Sequence, residues 1–226
     1  MTVILTGASR GIGKELINFF LEKDCQIIAV SSNPDAITIK NNQLKVIKAD
    51  FADVHSVLET AKQIKQLTKE VSILINNAAT IVNKPFLDIS TQDFETIYKV
   101  NVEAPFFLTQ QLLDLMGKTQ TSHIVNISSM GGFMGSAKFA GLTAYSSSKG
   151  ALSILTECLA EELKDKNIRT NCLCLGAVNT EMLKQAFPDY TAPLNPPQIA
   201  EYIGNFALTG HNYFNGKVLP VSVSTP

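Results

Sequence analysis

A tyrosine and a lysine four residues apart, Tyr145-Ser-Ser-Ser-Lys149, open a stretch that reads as a helix. Residues i and i+4 share one helix face. Two unit charges about 5 Å apart at an effective dielectric near 20 attract by about 3 kcal/mol, roughly two pKa units, so a Lys149 ammonium would draw a Tyr145 phenol from about pKa 10 towards neutrality. A phenol so placed can give or take a proton. The spacing alone is weak evidence, and the chain holds its own control. Tyr213-Phe-Asn-Gly-Lys217 has the same spacing, but Asn215-Gly216 is a turn signal before a last strand, so that pair is not expected to stack.

A second constellation lies at the start. The apolar run Thr2–Thr6 leads into Gly7-Ala8-Ser9-Arg10-Gly11-Ile12-Gly13, where a helix begins at once. Glycines at such a turn let the chain bend sharply and let a pyrophosphate reach the N–H groups at the helix start, so Gly7, Ser9, Gly11, Ile12 and Gly13 are candidate contacts of a dinucleotide. A tight turn without a ligand is the bland alternative. An acidic residue at the end of the second strand would accept hydrogen bonds from the ribose hydroxyls of NAD. The chain has Ser31-Ser32-Asn33 there. With no carboxylate to repel a 2′-phosphate, and with the planar fork of Arg10 nearby, NADP(H) is expected in preference to NAD(H), the alternative being that Arg10 is a solvated loop residue. Only one other arginine exists, Arg169, and it carries no functional reading.

These groups need a frame to hold them. Short apolar runs at Thr2–Thr6, Gln26–Ser31, Leu44–Lys48, Val71–Asn76, His123–Ser128, Ile168–Leu175 and Lys217–Val223 read as strands, several too apolar to have a wet face. Helices are expected over Gly11–Lys23, Val54–Lys69, Ser90–Met116, Tyr145–Lys164 and Pro197–Leu208. This alternation predicts an α/β protein: a doubly wound, Rossmann-type parallel β-sheet of about seven strands with helices on both faces, the whole of residues 1–226 serving as one NAD(P)-binding domain. With 45% apolar and 17% charged residues and a net charge of −1, compact folding is expected, and neither a basic stripe for nucleic acid nor an apolar run for a membrane is present. A cytoplasmic protein is the default. The four cysteines form no CxxC pair and the three histidines no ligand spacing, so reduced thiols and no metal are expected.

In order along the chain, Thr6-Gly-x-x-x-Gly-x-Gly13, Asn76-Asn77-Ala78-Ala79, Asn101, Ile127-Ser128-Ser129, Tyr145-x-x-x-Lys149 and Gly176-x-Val178-x-Thr180 resemble the short-chain dehydrogenases/reductases of the single-domain subclass over nearly the whole length. The resemblance implies Tyr145 as general acid/base, Lys149 on the nicotinamide ribose, and Ser129, placed by its spacing to Gly132, orienting a carbonyl or alcohol. It also implies Asp50 and Phe51 near the adenine, Asn77 and Ala78 beside the ribose, and Gly176, Val178 and Thr180 along the nicotinamide and phosphates; core or capping roles are the alternatives. Asn101 is the fourth of the implied catalytic residues. Its carbonyl would accept from residue 105 in a helix, but Pro105 has no N–H, so a kink and an open carbonyl that could hold a proton-relaying water are expected.

The family pattern is departed from in places. Ala79 stands for a glycine, Leu175 for a proline, and 221–226 lacks an acid-Gly-Gly ending. Ser129 and Tyr145 are three residues further apart than is usual, so 130–144 should bulge, adding Phe133, Met134, Phe139 or Leu142 to the pocket. A short lid over 181–196 brings Met182, Leu183, Phe187 and Tyr190. The helix from Tyr145 has an apolar stripe too wide for one core face, which, with the resemblance, predicts a homodimer or homotetramer. The expected activity is NADP(H)-dependent carbonyl reduction or alcohol oxidation on a small molecule. A catalytically silent NADP-binding redox sensor or interaction module is the alternative from another class.

Overall fold

The computed structural model describes residues 1–223, so the last three positions of the unusual ending lie outside it. Seven strands form one wholly parallel sheet: β1 (Thr2–Thr6), β2 (Gln26–Ser31), β3 (Leu44–Lys48), β4 (Ile73–Asn76), β5 (Ser122–Ser129), β6 (Ile168–Leu175) and β7 (Val218–Val221). Their order is β3-β2-β1-β4-β5-β6-β7. The chain winds outward from β1 to one edge, then returns to β4 and winds to the other, so the carboxyl ends of β1 and β4 flank a crevice where a ligand can enter.

Among the described residues seven α-helices link the strands: α1 (Gly11–Glu22), α2 (Val54–Leu67), α3 (Thr91–Tyr98), α4 (Ala104–Leu112), α5 (Thr143–Glu162), α6 (Glu181–Ala186) and α7 (Pro196–Thr209). Alternation along β1 divides the core. Val3 and Leu5 pack with Leu16, Ile17 and Phe20 of α1 and Ile203 of α7. Ile4 faces the other way, towards Val57, Ala61 and Ile64 of α2 and Leu108 of α4. Both faces are covered, which is why the strands read as continuous apolar runs.

The helix starts are written locally. Asp53 accepts from the His55 N–H at 3.0 Å to cap α2, Ser90 and Asp93 close a reciprocal box at α3, and Asn195 and Gln198 do the same at α7 ahead of Pro196 and Pro197. Two segments differ from expectation. The long helix over Ser90–Met116 is divided by a π-helical turn at Lys99–Glu103, where the chain widens around the missing Pro105 N–H instead of simply kinking. The lid holds a six-residue helix, α6, too short for a periodic signal. Among the described residues no helix is long and apolar enough to cross a membrane.

Candidate active site

Thr6 ends β1 and ties the crevice together. Its hydroxyl accepts the backbone N–H groups of Asn77 and Ala78, both at 3.0 Å, and donates to the Ile75 carbonyl. Asn77 answers from β4, its amide donating to the carbonyls of Thr6 and Gly7 at 3.0 and 3.1 Å. Gly7 has φ +67, and a Cβ there would stand 2.7 Å from Ala78 Cα, so only glycine lets the two loops approach this closely. The glycine loop is therefore held from below by side chains, with α1 starting at Gly11.

A cavity of about 800 Å³ opens above these strand ends. It is lined by Gly7, Ser9, Arg10, Gly11, Ile12 and Gly13; by Ser31 and Ser32; by Asp50 and Phe51; by Asn77 and Ala78; by Ser129, Tyr145 and Lys149; and by Gly176, Val178 and Thr180. A cradle of backbone N–H groups beside a long slot fits a dinucleotide. Among the catalytic and cofactor residues chosen from the sequence, two do not line it. Asn33 turns its N–H back onto Ser31 Oγ at 3.0 Å. Asn101 is fully buried behind the wall: its Oδ1 accepts from the Thr80 N–H at 2.9 Å, and its amide donates to the Thr80 carbonyl and to Ser148 Oγ, both at 3.0 Å. Ser148 donates in turn to the Tyr145 carbonyl at 2.7 Å. Asn101 thus reaches the site through Ser148 and the Tyr145 backbone.

Adjacent serines at the end of β5 part company because a strand alternates its side chains. Ser129 faces the cavity beside Tyr145, its Oγ accepting from the Gly131 N–H at 3.1 Å. Ser128 donates to the Lys149 carbonyl at 2.8 Å and so pins α5 to β5. Gly132 permits the same contact from the far side, since a Cβ there would lie 2.5 Å from the Lys149 carbonyl carbon. Lys149 is 2% exposed. Its Nζ donates to the Ile127 carbonyl at 2.8 Å and lies 5.9 Å from the Tyr145 ring centroid.

Burial governs the titration of both groups. It lowers the Lys149 amine to about 8, against the neighbouring Cys172 and Cys174 thiols. It also raises the Tyr145 phenol above its ordinary value, outweighing the opposing influence of the Ser129 hydroxyl. The lowering anticipated from i, i+4 stacking is not realised here, because the ammonium turns to a carbonyl of β5 and desolvation of a phenolate exceeds the attraction.

The remaining wall comes from the two irregular segments. Phe139 and Leu142 line the cavity, as do Met182, Leu183, Phe187 and Tyr190. Phe133 instead packs on Met130, Cys172 and Cys174, and Met134 stands 87% exposed. Asp50 makes a local turn, accepting from the Ala52 N–H at 2.9 Å. Arg10 lies 3.6 Å from Glu181 at the start of α6, both well exposed. Tyr213 of the control motif is exposed, and Gly216 turns the chain at φ +68. Thr6 and Ser148 carry no motif signal beyond their place beside Gly7 and Lys149; only the hydrogen bonds reveal them.

A family model described as short chain dehydrogenase matches residues 1–191. A 3-oxoacyl-(acyl-carrier-protein) reductase of Buchnera aphidicola is 31% identical over 81% of this chain and 75% of its own length. Among solved structures, 4-hydroxyisoleucine dehydrogenase complexed with NADH superposes with a TM-score of 0.88 at 26% identity, covering 98% of this chain and 96% of that one. Pseudomonas aeruginosa RhlG, in an active-site complex with NADP, shares the fold with a TM-score of 0.86 at 24% identity, over 98% and 94% of the two chains.

Proposed function

The chain belongs to the short chain dehydrogenase family, and from that premise we propose that it is an NADP(H)-preferring oxidoreductase interconverting a small carbonyl compound and its alcohol. The observation that carries this reading is the convergence of Tyr145, Ser129 and Lys149 in one cavity with the glycine loop. Bound nicotinamide would supply or accept a hydride at the substrate's reacting carbon. The other tasks fall to the chain. In the reductive direction the Tyr145 phenol protonates the carbonyl oxygen while the Ser129 hydroxyl hydrogen-bonds to it. Lys149, protonated below pH about 8, offsets the charge left on the phenol. Because burial holds the phenol up, Tyr145 is in its acid form at neutral pH, the state that reduction requires.

For the cofactor, Gly7, Ser9, Gly11, Ile12 and Gly13 would take the pyrophosphate, Asp50, Phe51, Asn77 and Ala78 the adenosine side, and Gly176, Val178 and Thr180 the nicotinamide side. Arg10, with Ser31 and Ser32, would hold the 2′-phosphate, a dianion that competes for the guanidinium with the exposed Glu181 carboxylate. Asn33 is left only a backbone part in this reading. The chain works as one catalytic domain, since strands from both its ends share the sheet, and as a homodimer or homotetramer, since Ile154 and Cys158 leave the outer side of α5 apolar and exposed. Its four free cysteines suit the cytoplasm.

Tyr145→Phe is expected to abolish NADPH oxidation with carbonyl substrates while changing cofactor affinity by no more than a few-fold; wild-type rates in that variant would sink the mechanism. Arg10→Glu is expected to weaken NADPH far more than NADH in fluorescence titrations. Equal losses would show that Arg10 does not read the 2′-phosphate.

A further inference from the structure

The cavity has two chemically different ends. Its charged lining groups are Arg10, Asp50, Lys149 and Glu181, and each is drawn away from the space beyond the Tyr145 hydroxyl. Arg10 and Glu181 face each other on the glycine-loop side, Asp50 bonds its own loop after β3, and Lys149 is sunk against the Ile127 carbonyl. On the segment after β5 and on the lid the lining includes Met130, Phe139, Leu142, Leu183, Phe187 and the Tyr190 ring. Phe139 and Phe187 come from opposite walls and meet edge to face, with ring centroids 6.1 Å apart. Three lysines lie on the segments that wall the cavity: Lys84 pairs with Asp93 at 2.7 Å, Lys138 donates to the Phe133 carbonyl at 2.7 Å, and Lys184 stands exposed on α6. None of the three lines the cavity.

The walls are also stitched to each other. The Asn83 amide donates to the Ala186 carbonyl at the end of α6 at 2.7 Å, and the Lys84 N–H donates to the Gly141 carbonyl at 3.1 Å. Gly141 has φ +85, and a Cβ there would run into Asn83 Oδ1. One short loop after β4 therefore holds both the 130–142 segment and the lid, giving the apolar end a set shape.

We propose, building on the redox reading above, that the substrate is an uncharged ketone or aldehyde, or the matching alcohol, whose apolar body is of aromatic size and sits against Phe139 and Phe187. A carboxylate or phosphate on that body would lose its water and find no cation in exchange. An apolar ring would gain burial against two phenyl edges.

The test uses propiophenone and its 4-carboxylate as a matched pair with the full chain and NADPH at pH 7. The carboxylate is expected to show a kcat/KM lower by about 100-fold or more. Phe187→Ala is expected to raise KM for the neutral ketone about tenfold with kcat largely kept, and Phe187→Leu to recover most of that loss. In thermal shift with NADP added, the neutral alcohol should raise the melting temperature and the carboxylated one should not. Comparable kcat/KM for the pair, or an unchanged KM in Phe187→Ala, overturns the proposal. Turnover confined to carboxylated compounds would leave the redox reading intact and overturn this one. Neutral binding that is lost in Phe187→Ala, with no turnover of any carbonyl, would instead overturn the redox reading and support this one.

Discussion

Lys149 shows how a proposed functional residue can act against stability. An ammonium with almost no exposure and one carbonyl partner has its pKa brought from 10.5 to about 8. The unfolded chain therefore binds more protons than the folded one between pH 8 and 10.5, and folding stability rises with pH through that window. Below pH 8 the penalty is fully present, about 3 kcal/mol. Replacing Lys149 by Met is expected to stabilise the fold by up to that amount in urea denaturation at pH 7, with the gain fading between pH 8 and 10.5 and with turnover lost. No gain at pH 7 would show that the charge is accommodated at no cost. Tyr145, Lys149 and the glycine loop were legible from residue type and spacing, because a helix face and a strand-to-helix turn are local geometries. Ser148 and Thr6 were not. Their roles are hydrogen bonds to Asn101, 47 residues away, and to Asn77, 71 residues away.

Elements carry the second layer. Pro105 marked a local fault in the helix after Ser90, and the fault was found, but its form, a π-helical turn at Lys99–Glu103, depends on how α3 and α4 each pack. β5 is joined to α7 through His123, which is fully buried. Its Nδ1 donates to the Ala207 carbonyl at 2.9 Å, and its Nε2 accepts the Asn171 amide at 3.0 Å, since Asn171 Oδ1 already accepts from the Lys217 N–H. A second proton on Nε2 would face a donor. Burial accordingly lowers the pKa from 6.5 to about 4. The unfolded state then binds more protons between pH 6.5 and 4, so stability falls as pH drops through that window, by about 3 kcal/mol from this group. Urea midpoints at pH 7 and 4.5 should show the loss, and His123→Gln should show less of it. An equal loss in that variant would assign the acid sensitivity to other groups.

At the scale of the molecule, the winding order of the sheet makes the site, because its reversal between β1 and β4 opens a cavity that residues at the ends of all seven strands line. The same architecture leaves apolar groups outside: Ile154 on α5, Phe94 on α3 and Phe106 on α4 are each at least 40% exposed, and the proposed self-association would cover Ile154. Light scattering at micromolar concentration is expected to give a multiple of 24.6 kDa, and the monomer mass alone would refute it. What the sequence determined by itself was whatever is set by neighbours along the chain: the strand and helix rhythm, the glycine turn, the Tyr-Lys spacing and the membership these motifs imply. What only the tertiary structure decided was set by distant groups meeting. Desolvation raises the Tyr145 phenol and lowers the Lys149 amine, Arg10 finds Glu181, and two irregular segments tied through Asn83 and Lys84 bring Phe139 to Phe187. Burial and long-range contact have no period and no fixed spacing, so no pattern of residue types could have announced them.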